Sequence, residues 1–316
     1  MTTRHLIDPE TLPIVEAFVP IDPMNKGVEQ MRALVDAFTA QMPDPAIAPH
    51  IVMAPGLDGA PDVPLHIYTP SGGNRRRPVI LHIHGGAMIS GSAAMAKRYL
   101  PELTEEHDAI GVSIDYRLAP ETPFPGPQQD CLAGLRWVAA NAGALNIDPC
   151  RIVVMGESAG GGLAASLALM ARDHGGPQLA GQILVYPMLD HRTSGPDDRW
   201  NNPIAGEFVF TPDSNRFGWA ALRGDYAADD HRKGWFSPAL AEDLSGLPPT
   251  FITVGQLDVI VDETLDYARR LAAAGVLVEC HLFAGGVHAF DGVPEARIAR
   301  ESKALQSAAL GRFLGR

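Results

Sequence analysis

Apolar positions in this 316-residue chain follow two rhythms that alternate along its length. Short aliphatic and β-branched runs, bounded by Gly and Pro, read as strands. They are "HIVMAP" from residue 50, "VPLHIYTP", "PVILHIHGG" (78–86), "AIGVSIDY" (109–116), "RIVVM", "GQILVYP", "TFITVG" and "LVECHLF". Between them "QQDCLAGLRWVAANAGAL", "SAGGGLAASLALMARDHG" and segments near 262–274 and 294–314 read as helices. Strand alternating with helix predicts an α/β fold: a mostly parallel central sheet with helices on both faces. The first two strands lie too close together for a crossover, so they predict an antiparallel start.

Two stretches stand outside this rhythm. Residues 1–45 read as helices broken by prolines, with Val28, Met31, Leu34, Val35 and Phe38 at helical spacing. Residues 190–236 carry Pro, Gly, aromatic and charged residues in no clear period, between two core strands. So long an excursion predicts a functional lid rather than a linker. The expected organisation is a cap, built from residues 1–45 and the insertion at about 190–236, on a main domain spanning 46–316. The triple arginine of "SGGNRRRP" is expected in a solvated turn.

Composition narrows the field of partners. With 46% apolar and 20% charged residues the chain has a globular profile, and its net charge of −12 disfavours nucleic acid and anionic membrane. No run approaches the roughly 20 apolar residues that span a bilayer, and the N-terminus lacks the sections of a secretory signal. Cys131, Cys150 and Cys280 form neither a CxxC pair nor a disulfide framework. They are expected to be buried or partly buried free thiols in a reducing compartment, which makes the expected location cytoplasmic.

The chemistry gathers at a few motifs. Gly156-Glu157-Ser158-Ala159-Gly160 is a G-x-S-x-G sequence with "RIVVM" before it and "LAASLALMA" after it. That is the context of a nucleophile elbow, where a strand turns sharply into a helix and presents the serine. A serine hydroxyl is a weak nucleophile, and it needs a base and fixed oxyanion donors. "HGGA" (84–87) ends a strand, and its loop predicts the amides of Gly85 and Gly86 as donors beside that of Ala159. Acid and base should follow in the order Ser, Asp or Glu, His. Asp258 and His288 each follow a core strand at the sheet edge that carries sites. Asp262 and Asp190 are rivals for the acid.

Other histidines carry less. His281 is expected to be packed within a strand, and His5, His107, His174 and His231 to sit in surface segments. His82 and His84 share a strand face, but no nearby Cys, Asp or Glu completes a metal site, and His84 belongs to the HGG loop. The glycines at 156–162 match neither G-x-G-x-x-G nor a P-loop. Glu157 is expected either as an ordinary turn residue or as an acceptor that steadies the oxyanion loop or pairs with Arg117.

"HGGA", "DYRLAPE", "GESAGG", "LDVIVDE" and "VHAF", in this order within residues 50–315, resemble the hormone-sensitive lipase family of α/β-hydrolases, specifically its bacterial esterases. The resemblance implies an α/β-hydrolase fold with a helical cap. It implies hydrolysis of small apolar carboxylic esters of short to medium acyl chain through an acyl-enzyme, with no cofactor and no metal. Carried over, the catalytic residues are Ser158, Asp258 and His288, and the oxyanion donors are Gly85, Gly86 and Ala159. Tyr116, Arg117 and Glu121 are expected to brace the site loops. Two departures matter: Ala87 stands where the family usually has a third glycine, and Val259 where it commonly has proline. The first predicts poor hydrolysis of bulky tertiary-alcohol esters, the second a looser acid loop. A deacetylase, lactonase or amidase would use the same triad, and a non-catalytic ligand-binding protein would share the fold. The last strand, "LVECHLF", is a candidate exposed edge for a homodimer.

Overall fold

A computed structural model describes residues 2–18, 23–73 and 75–315. Residues 1 and 19–22 of the expected N-terminal helices, and Asn74 of the expected turn, lie outside the described residues. Eight strands, β1 (His50–Ala54), β2 (Val63–Tyr68), β3 (Arg77–Ile83), β4 (Ile110–Ile114), β5 (Ile147–Glu157), β6 (Gly181–Val185), β7 (Thr250–Gly255) and β8 (Val278–Phe283), form one sheet in the order 1-2-4-3-5-6-7-8. β2 runs antiparallel to both β1 and β4, and every pairing from β4 to β8 is parallel. The parallel strands read as continuous apolar runs because both sheet faces are covered.

The helices are α1 (Leu12–Ala17), α2 (Pro23–Gln41), α3 (Leu100–Glu106), α4 (Gly126–Ala140), α5 (Ala142–Leu145), α6 (Ala159–Asp173), α7 (Pro212–Arg223), α8 (Lys233–Phe236), α9 (Val261–Ala273) and α10 (Arg297–Phe313). The two-residue period of β5 sorts them into layers. Val154 joins a core with Leu135 of α4, Leu167 of α6 and Leu271 of α9. Val153 points the other way, into a core with Leu103 of α3 and Leu310 of α10. The register pairs Ile83 with Gly156 and Glu157 with Val185, so the carboxyl ends of β3, β5 and β6 reach one rim.

Outside the sheet, α2 packs against α7. The aperiodic stretch 190–236 therefore contains a regular helix. Its local signal is Thr211-Pro212, where Thr211 caps the helix by accepting from the Ser214 amide and Pro212 occupies N1. α2 is interrupted at Gly27, where φ is +71°. Its apolar stripe is only partly covered: Val28 and Met31 pack on the core, whereas Leu34 and Phe38 are 51% and 50% exposed.

Three sequence expectations need correction. Arg77 is no solvated turn residue: it begins β3, is buried, and donates to Asp108 at 2.7 Å. His107 is buried at the end of α3, with its Nε2 3.0 Å from Ser307 Oγ. Cys150 and Cys280 are exposed, while Cys131 is buried, and all three are free thiols. No helix among the described residues is long and apolar enough to cross a membrane.

Candidate active site

The rim where β3 and β5 end is built by close backbone approach. Ser158 stands between β5 and α6 at φ +55° and ψ −122°, a strained conformation for a residue with a side chain. Neighbouring backbone holds it there. Its amide donates to Val185 O at 2.9 Å, and its carbonyl accepts from Gly162 and Met188 at 3.0 Å. Gly160 cannot be larger: a Cβ there would lie 2.1 Å from Ile83 O. The strand of the HGG loop is thereby pressed against the first turn of α6.

Ser158 Oγ is 2.9 Å from His288 Nε2, and His288 Nδ1 is 2.7 Å from Asp258 Oδ2. All three residues are buried. With Asp258 accepting from Nδ1–H, Nε2 is free to accept the serine proton. Phe210 and Tyr186 flank the imidazole, with ring centroids 4.7 and 4.9 Å from it. The rival acids are engaged elsewhere. Asp262 accepts from Asn202 at 2.8 Å, and Asp190 pairs with Arg192 at 2.6 Å. Val259, beside the acid, is buried, and a Cβ on Gly206 would come within 2.8 Å of it.

Facing the serine, the loop after β3 folds back on itself. Gly86 has φ +117°, and its carbonyl accepts from the amides of Ile89 and Ser90 at 3.0 Å. A Cβ on Gly86 would meet Ser90 O at 2.1 Å. Gly85 lies against the elbow, where an added Cβ would be 3.5 Å from Ser158 Cβ. Ala159 is the first residue of α6, so its amide has no intrahelical acceptor and sits at the positive end of the helix. Ala87 adopts φ +53°, and its methyl group packs towards Gly218 of α7.

Polar side chains fix this loop from behind. Tyr116 Oη donates to His84 O at 2.9 Å, and the two rings stack at 4.1 Å. His84 Nδ1 bonds to Gly85 O at 2.8 Å, and burial pushes the imidazole pKa down to about 3. His84 is therefore a neutral donor to the loop backbone. Glu157 does not pair with Arg117, because the Arg117 guanidinium forks onto Asp130 of α4 at 2.7 and 2.8 Å. Glu157 Oε2 instead lies 3.1 Å from His82 Nε2, which is also 2.7 Å from Tyr99 Oη. Glu121 braces a different element: it accepts two bonds from Arg32 of α2, at 2.7 and 2.8 Å.

Sequence reasoning missed Arg32, Phe210, Tyr186 and Glu263. Tyr186 directly follows β6 on the site rim, a signal that was available. Arg32 and Phe210 lie in segments without a core period, and nothing local marks them. Glu263 of α9 is wholly buried and accepts from the Leu189 and Asp190 amides at 2.6 and 3.1 Å, and from Thr193.

Comparisons with known proteins bear on the fold and the family. A family model described as alpha/beta hydrolase fold matches residues 80–292. Carboxylesterase NlhH of Mycobacterium tuberculosis is 36% identical over 281 residues, covering 87% of this chain and 86% of that protein. Among solved structures, a bacterial heroin esterase superposes with a TM-score of 0.90 at 36% identity, and 100% of both chains is covered. Esterase LipW from Mycobacterium marinum superposes with a TM-score of 0.87 at 29% identity, covering 99% of this chain and 98% of that one. The chain belongs to the α/β-hydrolase fold family, in its hormone-sensitive lipase-type branch.

Proposed function

We propose that this carboxylic ester hydrolase works through Ser158, His288 and Asp258, with Gly85, Gly86 and Ala159 as oxyanion donors. The observation that carries the reading is the unbroken chain Ser158 Oγ–His288 Nε2 (2.9 Å) and His288 Nδ1–Asp258 Oδ2 (2.7 Å) at a strained elbow. Ser158 Oγ attacks the ester carbonyl while His288 Nε2 takes its proton. The carbonyl oxygen becomes an oxyanion against the three amides, and Asp258 stabilises the imidazolium. The tetrahedral adduct collapses, Nε2–H protonates the leaving alcohol, and the acyl group stays on Ser158. Water then repeats the sequence, gives its proton to His288, and releases the acid.

In this reading α2 and the 190–236 insertion form a cap over the site, and the substrates are small apolar esters of short to medium acyl chain. The burial of Phe210 and Trp219 supports a confined acyl space. A cytoplasmic location is part of the reading, supported by three free thiols, two of them exposed. So is a homodimer through β8, supported by its position at the edge of the sheet. A fluorophosphonate probe and a panel of p-nitrophenyl esters of increasing chain length test the chemistry. Wild-type protein should be labelled and should favour short to medium esters. Ser158→Ala should lose labelling and at least about 10³-fold in kcat. Folded wild-type protein that resists the probe would sink the enzyme reading in favour of a ligand-binding protein.

A further inference from the structure

One largely buried cluster beside the site takes no part in the proton transfers above. Gly218 of α7 packs on Ala87 so closely that a Cβ there would lie 3.2 Å from the Ala87 methyl. The next residue, Trp219, enters an aromatic box with His191, Tyr226 and Phe236. The His191 ring centroid lies 6.2, 6.0 and 5.2 Å from those of Trp219, Tyr226 and Phe236. Tyr226 stacks on Phe236 at 4.0 Å. Trp219 and Tyr226 are 3% and 6% exposed.

This box is not an ordinary apolar core. Trp219 Nε1, Tyr226 Oη and His191 Nδ1 are all sealed from solvent, and none has a hydrogen-bond partner among the described residues. Buried donors without partners are rare, because each has given up its hydration for nothing in return. Two donors, and a ring nitrogen that donates or accepts according to its tautomer, around one set of rings call for a shared partner. Trp219 N–H can only donate, and Tyr226 O–H readily donates, so that partner must accept. Burial lowers the His191 pKa, so the imidazole is neutral and adds no charge to the box.

The box is also tied to the elbow along the chain. His191 is three residues beyond Met188, whose amide bonds to Ser158 O at 3.0 Å, and three residues span at most about 10 Å. Trp219 is joined directly to Gly218 against the oxyanion loop. Resting on the esterase reading, we infer that His191, Trp219 and Tyr226 form a polar subsite at the far end of the acyl pocket. It takes a neutral acceptor oxygen, keto, ether or hydroxyl, carried on a medium-length acyl chain. An unsubstituted alkyl chain leaves the donors unpaired and is discriminated against for that reason.

The test compares kcat/KM for p-nitrophenyl 5-oxohexanoate and p-nitrophenyl hexanoate in wild type, Trp219→Phe and Tyr226→Phe. Wild type should favour the keto ester, and each variant should lower the keto-to-alkyl ratio by about three- to tenfold. If Trp219→Phe fails to fold, Tyr226→Phe carries the test. A ratio unchanged in the folded variants overturns the subsite. A second pair moves the oxygen to the alcohol half, 2-methoxyethyl acetate against butyl acetate. A variant-sensitive preference confined to that pair overturns the acyl placement. Fluorophosphonate labelling is measured in parallel: a labelled wild type with an unchanged ratio sinks the subsite alone, while an unlabelled wild type sinks the esterase reading.

Discussion

Ser158, Asp258 and His288, which the structure brings together, could be picked from the sequence because Ser158 directly follows β5 and the other two lie in the short loops after β7 and β8, so local order along the chain gives position on the rim. Glu157 could not be placed in that way. Arg117 was the visible candidate partner, but Asp130 of α4 takes both arms of its guanidinium. No local pattern shows that His82, from the neighbouring strand β3, supplies the contact instead. As the residue directly before Ser158, Glu157 ties the elbow to β3 through His82, and we propose a positioning role for it. Glu157→Gln and Glu157→Ala should each lower kcat, by about tenfold for a lost charged hydrogen bond, with KM little changed and Ser158 still labelled. Unchanged kcat in both would return Glu157 to an ordinary turn residue. Ala87 supports a second prediction. At φ +53° its side chain is strained, and its methyl group lies between the loop after β3 and α7. Ala87→Gly should raise Tm, since the left-handed conformation costs a residue with a side chain about 1–2 kcal/mol. It should also raise the ratio of tertiary to primary acetate hydrolysis, and a constant ratio would refute the steric idea.

At the scale of elements, the eight strands and the four long core-packing helices were legible because burial imposes a period on them. The 190–236 insertion was not, because its helices α7 and α8 pack on α2 and α6 rather than on a sheet face. Its one long helix, α7, carries only a capping signal. The N-terminal helix was legible as a helix, but not in how it docks. Arg32 donates to Ile89 O at 2.7 Å and to Ala119 O at 3.0 Å, so α2 is fastened to the loop that follows Gly86. Arg32→Ala should lower kcat/KM by about tenfold, since hydrogen bonds from a charged donor are lost at the loop itself. Glu121→Gln should cost much less, because the Glu121 side chain is 63% exposed and such pairs are worth little. Equal losses in the two variants would assign the effect to the ion pair rather than to the loop carbonyls. Glu263 fastens the 189–193 segment to α9, and burial holds its carboxyl pKa well above the ordinary value. The folded state therefore keeps a proton that the unfolded state releases. The contribution to stability is full below the unfolded pKa of about 4.3 and is lost as pH rises through the folded pKa. Glu263→Gln keeps an acceptor for both amides and cannot ionise. Chemical denaturation across pH should show the variant gaining on wild type as pH rises above about 4.3. A pH-independent difference would refute the assignment.

For the whole molecule, the proposed homodimer turns on which sheet edge a second copy would cover. Parallel pairing from β4 to β8 leaves β1 and β8 as the two edges, and unpaired edges recruit further strands unless they are shielded. Both edges expose apolar side chains: Ile51 and Met53 on β1 at 53% and 52%, and Leu277 and Leu282 at β8 at 75% and 49%. On β8, Glu279 is already paired within the chain with the Arg312 guanidinium and lies 2.8 Å from His281 Nε2. Two copies can therefore meet there about a twofold axis without bringing unpaired carboxylates together, as an isologous contact requires. The net charge of −12 still opposes association over longer range, and salt screens that repulsion. Light scattering after size exclusion should therefore give a dimer whose dissociation constant falls as salt rises from low to physiological ionic strength. Leu282→Lys, which places a new charge in the apolar contact, should give a monomer with its esterase activity on a short ester retained. Ile51→Lys serves as the matched control on the other edge and should remain dimeric. A monomeric wild type would discard the dimer, and dissociation by Ile51→Lys instead of Leu282→Lys would move the interface to β1.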